Sequence, residues 1–292
     1  MKSMTHSGTN IGLRRFSKLT CFSTLFLIFA GGMVTSTGSG LAVPDWPLSY
    51  GTLFPPMVGG IFYEHGHRMV AALVGLLVLC LTIWLSVAEK RGWVRTLGFW
   101  ALAVAIVQGV LGGLTVLFFL PTPISVSHAV LAQTFFIFTI LIAYSQSKER
   151  ELAEKSARDV NPRILKLSLL FSILVYVQLI WGATMRHMGP GLFLFLIHLL
   201  GATVIAAVLC WLNIVFLKSD KKESRILSTL FHLDLLTLAQ LLLGISTVLT
   251  RKSAVITSVH VMTGAVVLGL SVVLVLRIAP VSFLETKRVL ST

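Results

Sequence analysis

The chain has 292 residues, of which 55% are hydrophobic and only 12% are charged, and its mean hydropathy is +0.89. Water-soluble domains carry about 25% charged residues, so this composition excludes an ordinary soluble globular protein. The formal net charge of +13 would suggest a nucleic-acid partner in a soluble chain. In a membrane protein, the same charge can instead reflect which side of the bilayer each loop faces.

Eight apolar stretches follow one another, and we predict that each forms a transmembrane helix, because a span needs about 20 apolar residues. They lie at residues 17–38, 63–88, 93–118, 124–146, 164–186, 191–217, 226–249 and 253–277. The first stretch has Arg14, Arg15 and Lys18 around its start and could alternatively be a cleaved signal peptide. Its place in an internal repeat predicts that it is retained as a helix.

The positive charges divide unequally between the two predicted sides of the membrane. If the N-terminus is cytoplasmic, 20 of the 24 lysines and arginines fall on the inner side. The outer side then keeps only Arg68, Arg186, Arg251 and Lys252. This split follows the positive-inside rule. It predicts a multi-pass protein of the cell inner membrane, surrounded by lipid, with both termini in the cytoplasm and no nucleic-acid partner.

An internal repeat organises the chain. Residues 108–117 resemble residues 240–249, with Gln, Gly and a Thr-Val-Leu tail coinciding at an offset of 132. Histidines follow in the same register, at positions 128 and 260 and, at an offset of 131, at positions 67 and 198. We therefore predict two pseudo-symmetric four-helix bundles, an N-terminal half (1–150) and a C-terminal half (151–292).

The two predicted halves differ in their first outer loop. Leu41 and His67 are 26 residues apart, whereas Leu192 and His198 are 6 residues apart. The N-terminal half therefore carries an insertion of roughly 20 residues, rich in proline and aromatic residues, which leads into Glu64. A duplicated scaffold that enlarges one loop is expected to have two sites with different tasks, one of them for a substrate.

Four histidines, His67, His128, His198 and His260, lie near the outer ends of the even-numbered spans. Polar residues are costly inside a membrane and usually mark function. Imidazoles on facing helices can hold haem iron axially, so two per half predict up to two haem sites. A compact zinc or copper site would be expected to recruit cysteines or carboxylates, and a proton relay would need acidic residues at mid-membrane depth.

Other polar residues gather at the same level. Glu64, His67 and Arg68 form a Glu-x-x-His-Arg pattern, in which Glu64 could orient a ligand or pass protons, or simply pair with Arg68. The pattern favours His67 over His65 as the ligand, and the role of His187 stays open.

The four outer cations have two interpretations. They could bind haem propionates or lie at the interface without a ligand. Three glutamines, Gln108, Gln178 and Gln240, each occur in Gln-x-x-x-Gly, a pattern typical of polar contacts between closely packed helices.

The chain resembles the haem A synthases of the respiratory-oxidase assembly pathway over about residues 20–277. The most specific parts are residues 35–41, Pro44-Asp45-Trp46-Pro47, Glu64-His65-Gly66-His67-Arg68 and the histidines of helices 4, 6 and 8. The resemblance implies an oxidoreductase that converts haem O to haem A by two successive oxidations of a ring methyl to a formyl group. It also implies haem O synthase and oxidase assembly proteins as candidate partners.

The resemblance further implies a role for each histidine pair. His198 and His260 would hold a resident b-type haem, whose iron is the cofactor. His67 and His128 would belong to the substrate site, with Glu64 beside them as a third catalytic residue. The chain departs from many bacterial members at Val43 and Ser49, where those members carry cysteines. A di-haem electron-transfer cytochrome or a haem carrier is the alternative function.

Overall fold

The computed structural model describes residues 10–150, 161–189, 191–219 and 222–279. Within these residues the chain forms eight long helices. They are α1 (Ile11–Ser36), α2 (Gly59–Ala88), α3 (Gly92–Leu117), α4 (Thr122–Ser145), α5 (Pro162–Met188), α6 (Leu192–Leu217), α7 (Ser224–Leu249) and α8 (Ala254–Ile278). All eight are long and apolar enough to cross a membrane, which confirms the predicted all-α, eight-helix transmembrane fold.

Helix α1 begins earlier than its apolar stretch predicted. The side chain of Asn10 accepts hydrogen bonds from the backbone N–H groups of Gly12, at 2.9 Å, and Leu13, at 3.2 Å. This cap satisfies two of the donors that a helix start leaves unpaired. The helix therefore includes Arg14 and Arg15, which precede the predicted stretch of residues 17–38.

Neighbouring helices in the chain pack as hairpins, and each half builds its own core. The N-terminal core takes Leu13, Val74, Val94 and Phe135 from α1 to α4, one from each helix. The C-terminal core is formed in the same way; its members include Phe171, Leu212, Leu230 and Leu274 of α5 to α8. A third, smaller cluster joins the halves, where α1 and α4 pack against α8. The exact boundary at residue 150 stays a prediction, because residues 151–160 lie outside the described residues.

The repeat extends to backbone conformation. In the turn between α3 and α4, Phe119 and Leu120 have φ angles of 57° and 59°. In the turn between α7 and α8, Arg251 and Lys252 have φ angles of 51° and 69°. In each turn, the backbone N–H of the second residue donates a hydrogen bond to a threonine carbonyl. The distance is 2.7 Å for Leu120 and 2.8 Å for Lys252. Two consecutive left-handed, non-glycine residues are uncommon, so their recurrence at the offset of 132 supports a duplicated fold.

The predicted difference in loop length is present. Residues 37–58 connect α1 to α2, whereas only residues 189–191 connect α5 to α6. We call residues 37–58 the outer loop. The carboxylate of Asp45 accepts bonds from the N–H groups of Gly51, at 2.8 Å, and Tyr50, at 2.7 Å. These bonds hold the pKa of Asp45 below its usual value, and the bond from Gly51 has the largest effect.

The two ends of the bundle differ in their side chains. We call the end with Arg14, Lys18, Lys90 and Lys148 the basic end. The opposite end, where α2, α4, α6 and α8 begin, is the histidine end.

At the basic end, Glu89 accepts bonds from Arg91 and, at 2.8 Å, from Gln146. Burial acts to raise the pKa of Glu89, but these hydrogen bonds outweigh it and lower the pKa to about 2.

We expect Glu89→Gln to destabilise the purified protein at pH 7 by on the order of 1 kcal/mol, which corresponds to a few degrees in apparent Tm. The lowered pKa means that the ionised carboxylate stabilises the fold above its ordinary pKa of 4.5 and loses this effect as the pH falls towards 2. Thermal unfolding in detergent should therefore show a difference between wild type and variant that shrinks across that range.

The exposed neighbour Lys90 provides the control, because Lys90→Gln removes a charge from the same turn. A pH-independent effect of Glu89→Gln, or an equal effect of Lys90→Gln, would contradict the assignment.

Candidate functional site

The four predicted ligand histidines lie at one depth of the bundle. His128, His198 and His260 each lie six residues after the first residue of their helix, and His67 lies eight residues after the start of α2. With a rise of 1.5 Å per residue, all four are about 9–12 Å from the histidine end.

Each histidine lies against a glycine of the preceding helix. A Cβ atom added at Gly31 would lie 3.0 Å from Cε1 of His67. The corresponding distance is 3.2 Å for Gly112 and His128, and 3.3 Å both for Gly182 and His198 and for Gly244 and His260. A larger residue at these positions would push the imidazole away. The same kind of glycine–histidine contact therefore occurs in each of the hairpins α1–α2, α3–α4, α5–α6 and α7–α8.

In three of the four hairpins, a glutamine one helical turn before the glycine contacts the histidine. Gln108 Nε2 donates to the carbonyl of His128 at 2.9 Å, and Gln178 Nε2 donates to the carbonyl of His198 at 2.7 Å. The third, Gln240 Nε2, lies 3.4 Å from the ring of His260. The predicted polar contact between helices is therefore a contact to the histidines themselves. In the first hairpin, Leu27 occupies the glutamine position.

The histidines are arranged in pairs, one pair in each half. The ring centroids of His198 and His260 are 6.5 Å apart with an interplanar angle of 66°. The internal repeat makes His67 and His128 the counterparts of this pair in the N-terminal half. A transition metal binds imidazole nitrogen at about 2 Å, so two rings on one ion have centroids on the order of 6 Å apart. The C-terminal pair matches this spacing.

The rings also have unused nitrogen atoms. Nδ1 of His67, His128 and His260 is buried and has no hydrogen-bond partner among the described residues. Buried polar atoms are rarely left unpaired without a reason. The spacing of the C-terminal pair, the glycine contacts and the unpaired nitrogens fit residues that hold haem iron.

Glu64 and Arg68 attach the outer loop to α2. The carboxylate of Glu64 accepts from the N–H of Val43 at 2.8 Å and from Nη2 of Arg68 at 2.6 Å. Arg68 also donates to the carbonyls of Asp45, at 2.7 Å, and Leu48, at 2.8 Å. Both oxygens of the buried Glu64 carboxylate are therefore engaged. The arrangement includes the Glu–Arg pair that the sequence offered as an alternative, and a catalytic role for Glu64 stays a prediction.

His65 and His187 differ in position from the four paired histidines. His65 is buried, and its Nδ1 lies 2.8 Å from Oγ of Ser49 in the outer loop. This contact leaves His67 to face Gly31 and the bundle. His187 lies near the histidine end of α5, where its carbonyl is 3.5 Å from the hydroxyl of Thr122.

The remaining outer cations occupy two different environments. Arg186 of α5 donates through Nη2 to the carbonyl of Gly32, at 2.7 Å, and to Oγ of Ser36, at 2.5 Å. It therefore connects the C-terminal half to α1. Arg251 and Lys252 are exposed in the α7–α8 turn. Their side chains point to no partner in the described part of the chain.

The glycines of the histidine contacts were not predicted as site residues. Gly112, Gly182 and Gly244 each precede their histidine by 16 residues, and each follows a glutamine by four. This Gln-x-x-x-Gly spacing, combined with the histidine, was the available signal. The insertion of the outer loop hides it for Gly31, which precedes His67 by 36 residues.

The sequence matches the profile of a known protein family. The sequence profile of the COX15-CtaA family, described as cytochrome oxidase assembly protein, matches residues 14–59 and 58–195. This region includes the outer loop, His67 and His128, whereas His198 and His260 lie beyond it.

Curated relatives named "Heme A synthase" are similar to this chain. The protein from Exiguobacterium sibiricum is 32% identical over 190 residues, which is 62% of this chain and 61% of that protein. The one from Bacillus licheniformis is 28% identical over 191 residues, 63% of this chain and 61% of that protein. The similarity therefore spans about three fifths of the length of these relatives.

The matched region covers more than half of the chain and contains the outer loop together with one complete histidine pair. On these grounds, the chain belongs to the COX15-CtaA family of cytochrome oxidase assembly proteins.

Proposed function

We propose that this protein is a haem A synthase that oxidises a ring methyl of haem O to a formyl group. Each of two successive hydroxylations would convert a C–H bond to a C–OH bond, with an external oxidant taking up two electrons per step and the oxygen supplied from outside the chain, and the resulting geminal diol would lose water to leave the formyl group. The observation that carries the proposal is the histidine pair in each half, held against glycine, in a chain whose curated relatives are named "Heme A synthase".

The two pairs would have different tasks. His198 and His260 would hold a resident b-type haem, and His67 and His128 would bind the substrate haem O. When bound, a haem held by two imidazoles supplies an iron that accepts and releases one electron. Arg186, Arg251 and Lys252 lie at the end of the bundle where carboxylate-bearing propionates would need cations.

The outer loop makes the N-terminal half the better candidate for the substrate. Trp46 of this loop lies over Gly113 of α3, where an added Cβ would be 2.7 Å from the indole. The loop therefore covers the histidine end of this half, and Glu64 and Arg68 hold it there through its backbone. In this arrangement Glu64 acts as a positioning residue that keeps the loop above the substrate.

The membrane orientation belongs to the same proposal. The charge distribution supports a bacterial inner-membrane protein with both termini in the cytoplasm. The histidine end would then face outwards. Haem O synthase and oxidase assembly proteins are the proposed partners, because one would supply the substrate and the others would receive the product.

Haem extraction after expression with a supply of haem O tests the activity. We expect wild type to yield formyl haem and the variants His67→Ala and His128→Ala to yield at least 100-fold less, because each removes a proposed substrate ligand. The exposed His232 at the basic end supplies the matched control, and His232→Ala should retain activity. Two unmodified b-type haems from aerobic wild-type cells with an electron donor would contradict the proposal and favour a di-haem cytochrome.

A double-mutant cycle tests whether Glu64 acts through the loop. We expect Glu64→Gln and Arg68→Gln each to lower haem A yield about tenfold, with the double variant no worse than either, because the two residues act as one unit. The loss should appear mainly as a higher KM for haem O. A complete loss in Glu64→Gln with normal activity in Arg68→Gln would instead show a role of Glu64 by itself, such as proton transfer.

The glycine contact can be tested without measuring turnover. Gly112→Val should displace His128 and weaken haem binding by the purified chain at least tenfold, measured as the low-spin absorption during a haem titration. Gly109 lies on the same helix with nothing within 4 Å of an added Cβ. Gly109→Val is therefore the matched control, and equal losses in the two variants would exclude a specific effect on the histidine.

A further inference from the structure

A cavity of about 400 Å³ opens at the basic end, far from the histidines. Its lining comes from both halves of the protein, with Arg14 and Lys18 from α1, Ile140 and Lys148 from α4 and the segment after it, and Val273 from α8. Most of the wall is apolar, and the cationic side chains are its main charged groups. The proposed haem chemistry uses none of these residues.

The cations of the cavity are not paired with other side chains among the described residues. Within the described part of the chain, the side chains of Arg14, Lys18 and Lys148 make no hydrogen bond or ion pair. The lining also includes Glu149, but its carboxylate accepts from Nη2 of Arg277 at 2.7 Å. The cavity therefore presents a net positive charge to a ligand.

The charges and the apolar wall lie at different depths. Arg14 is in the first turn of α1, and Lys18 is one turn further on the same face. Lys148 lies just beyond the end of α4. These positions correspond to the headgroup level of a bilayer, whereas Ile140 and Val273 lie deeper in their helices. A ligand that fits both parts has an anionic head and an apolar chain.

We propose that this cavity binds an anionic phospholipid, with the phosphate near Arg14, Lys18 and Lys148 and an acyl chain along the apolar wall. Basic pockets between transmembrane helices are suited to such headgroups. A zwitterionic lipid would bring an amine towards three cations and is disfavoured. Because α1 and α4 belong to one half and α8 to the other, the bound lipid connects the halves at the basic end.

Lipid titration of the purified full-length protein, followed by native mass spectrometry, tests the proposal. Phosphatidylglycerol should bind at least tenfold more tightly than phosphatidylcholine with the same acyl chains. Each cation near an anionic headgroup contributes about fivefold in affinity, so the double variant Arg14→Gln/Lys18→Gln should lose roughly 25-fold.

The matched control is Arg15→Gln/Lys90→Gln, which removes two exposed charges from the same end without touching the cavity. This variant should bind phosphatidylglycerol like wild type. Equal losses in both double variants, or equal binding of the two lipids by wild type, would overturn the proposal. Lys148→Gln provides a second test of the site if the first variant does not fold, with an expected loss of about fivefold.

Two further measurements separate a lipid from a soluble anion. Ala143 lines the cavity, and Ala143→Phe should fill it and weaken phosphatidylglycerol binding while the cations remain. Inorganic phosphate at millimolar concentration should not displace the lipid. Displacement by phosphate, with no effect of Ala143→Phe, would show a simple anion site and contradict the proposal.

Discussion

The close contact between a histidine and a glycine of the preceding helix is the constraint on which the rest of this structure depends. Lipid tails are as apolar as leucine, so transmembrane helices gain little from hydrophobic contact and associate where small residues allow close packing. Here the glycine admits an imidazole in place of a methyl group. The same contact brings the two helices of each hairpin together and directs the histidine into the bundle. Packing and ligand geometry therefore have one origin.

The duplicated frame carries two different outer ends. Above the N-terminal pair, the outer loop is attached through Glu64 and Arg68 and covers α3 with Trp46. Above the C-terminal pair, three residues join α5 to α6. The corresponding turns of the two halves also differ. The α3–α4 turn exposes the apolar Phe119, whereas the α7–α8 turn exposes the charged Arg251. The two histidine pairs therefore share their glycine contacts but have unequal surroundings.

The halves are joined by polar contacts at both ends of the seam. At the histidine end, Arg186 reaches the carbonyl of Gly32, and the hydroxyls of Ser36 and Ser258 lie 3.2 Å apart. At the basic end, the hydroxyl of Tyr144 donates to the carbonyl of Leu276 at 3.2 Å. These contacts hold the two histidine pairs in one frame.

The amino-acid sequence by itself determined the eight spans, the repeat and the inequality of the outer loops, because each is a local property. Apolar length defines a span, and a fixed offset between similar segments shows a duplication. The sequence also identified the histidines, since polar residues are rare in such helices. It could not show which helices face each other, so the spacing of His198 and His260 and the opposing glycines required the tertiary structure.

Tertiary structure also decided the contacts of side chains whose partners are distant in sequence. Glu64 and Arg68 contact each other, and the outer loop supplies carbonyls to Arg68 and the N–H of Val43 to Glu64, contacts that the sequence could not show. The cavity at the basic end depends on α1, α4 and α8 meeting across the two halves. The charge pattern of the sequence indicated only that this end is basic. It could not show the cavity, because the cavity depends on how helices distant in sequence pack against each other.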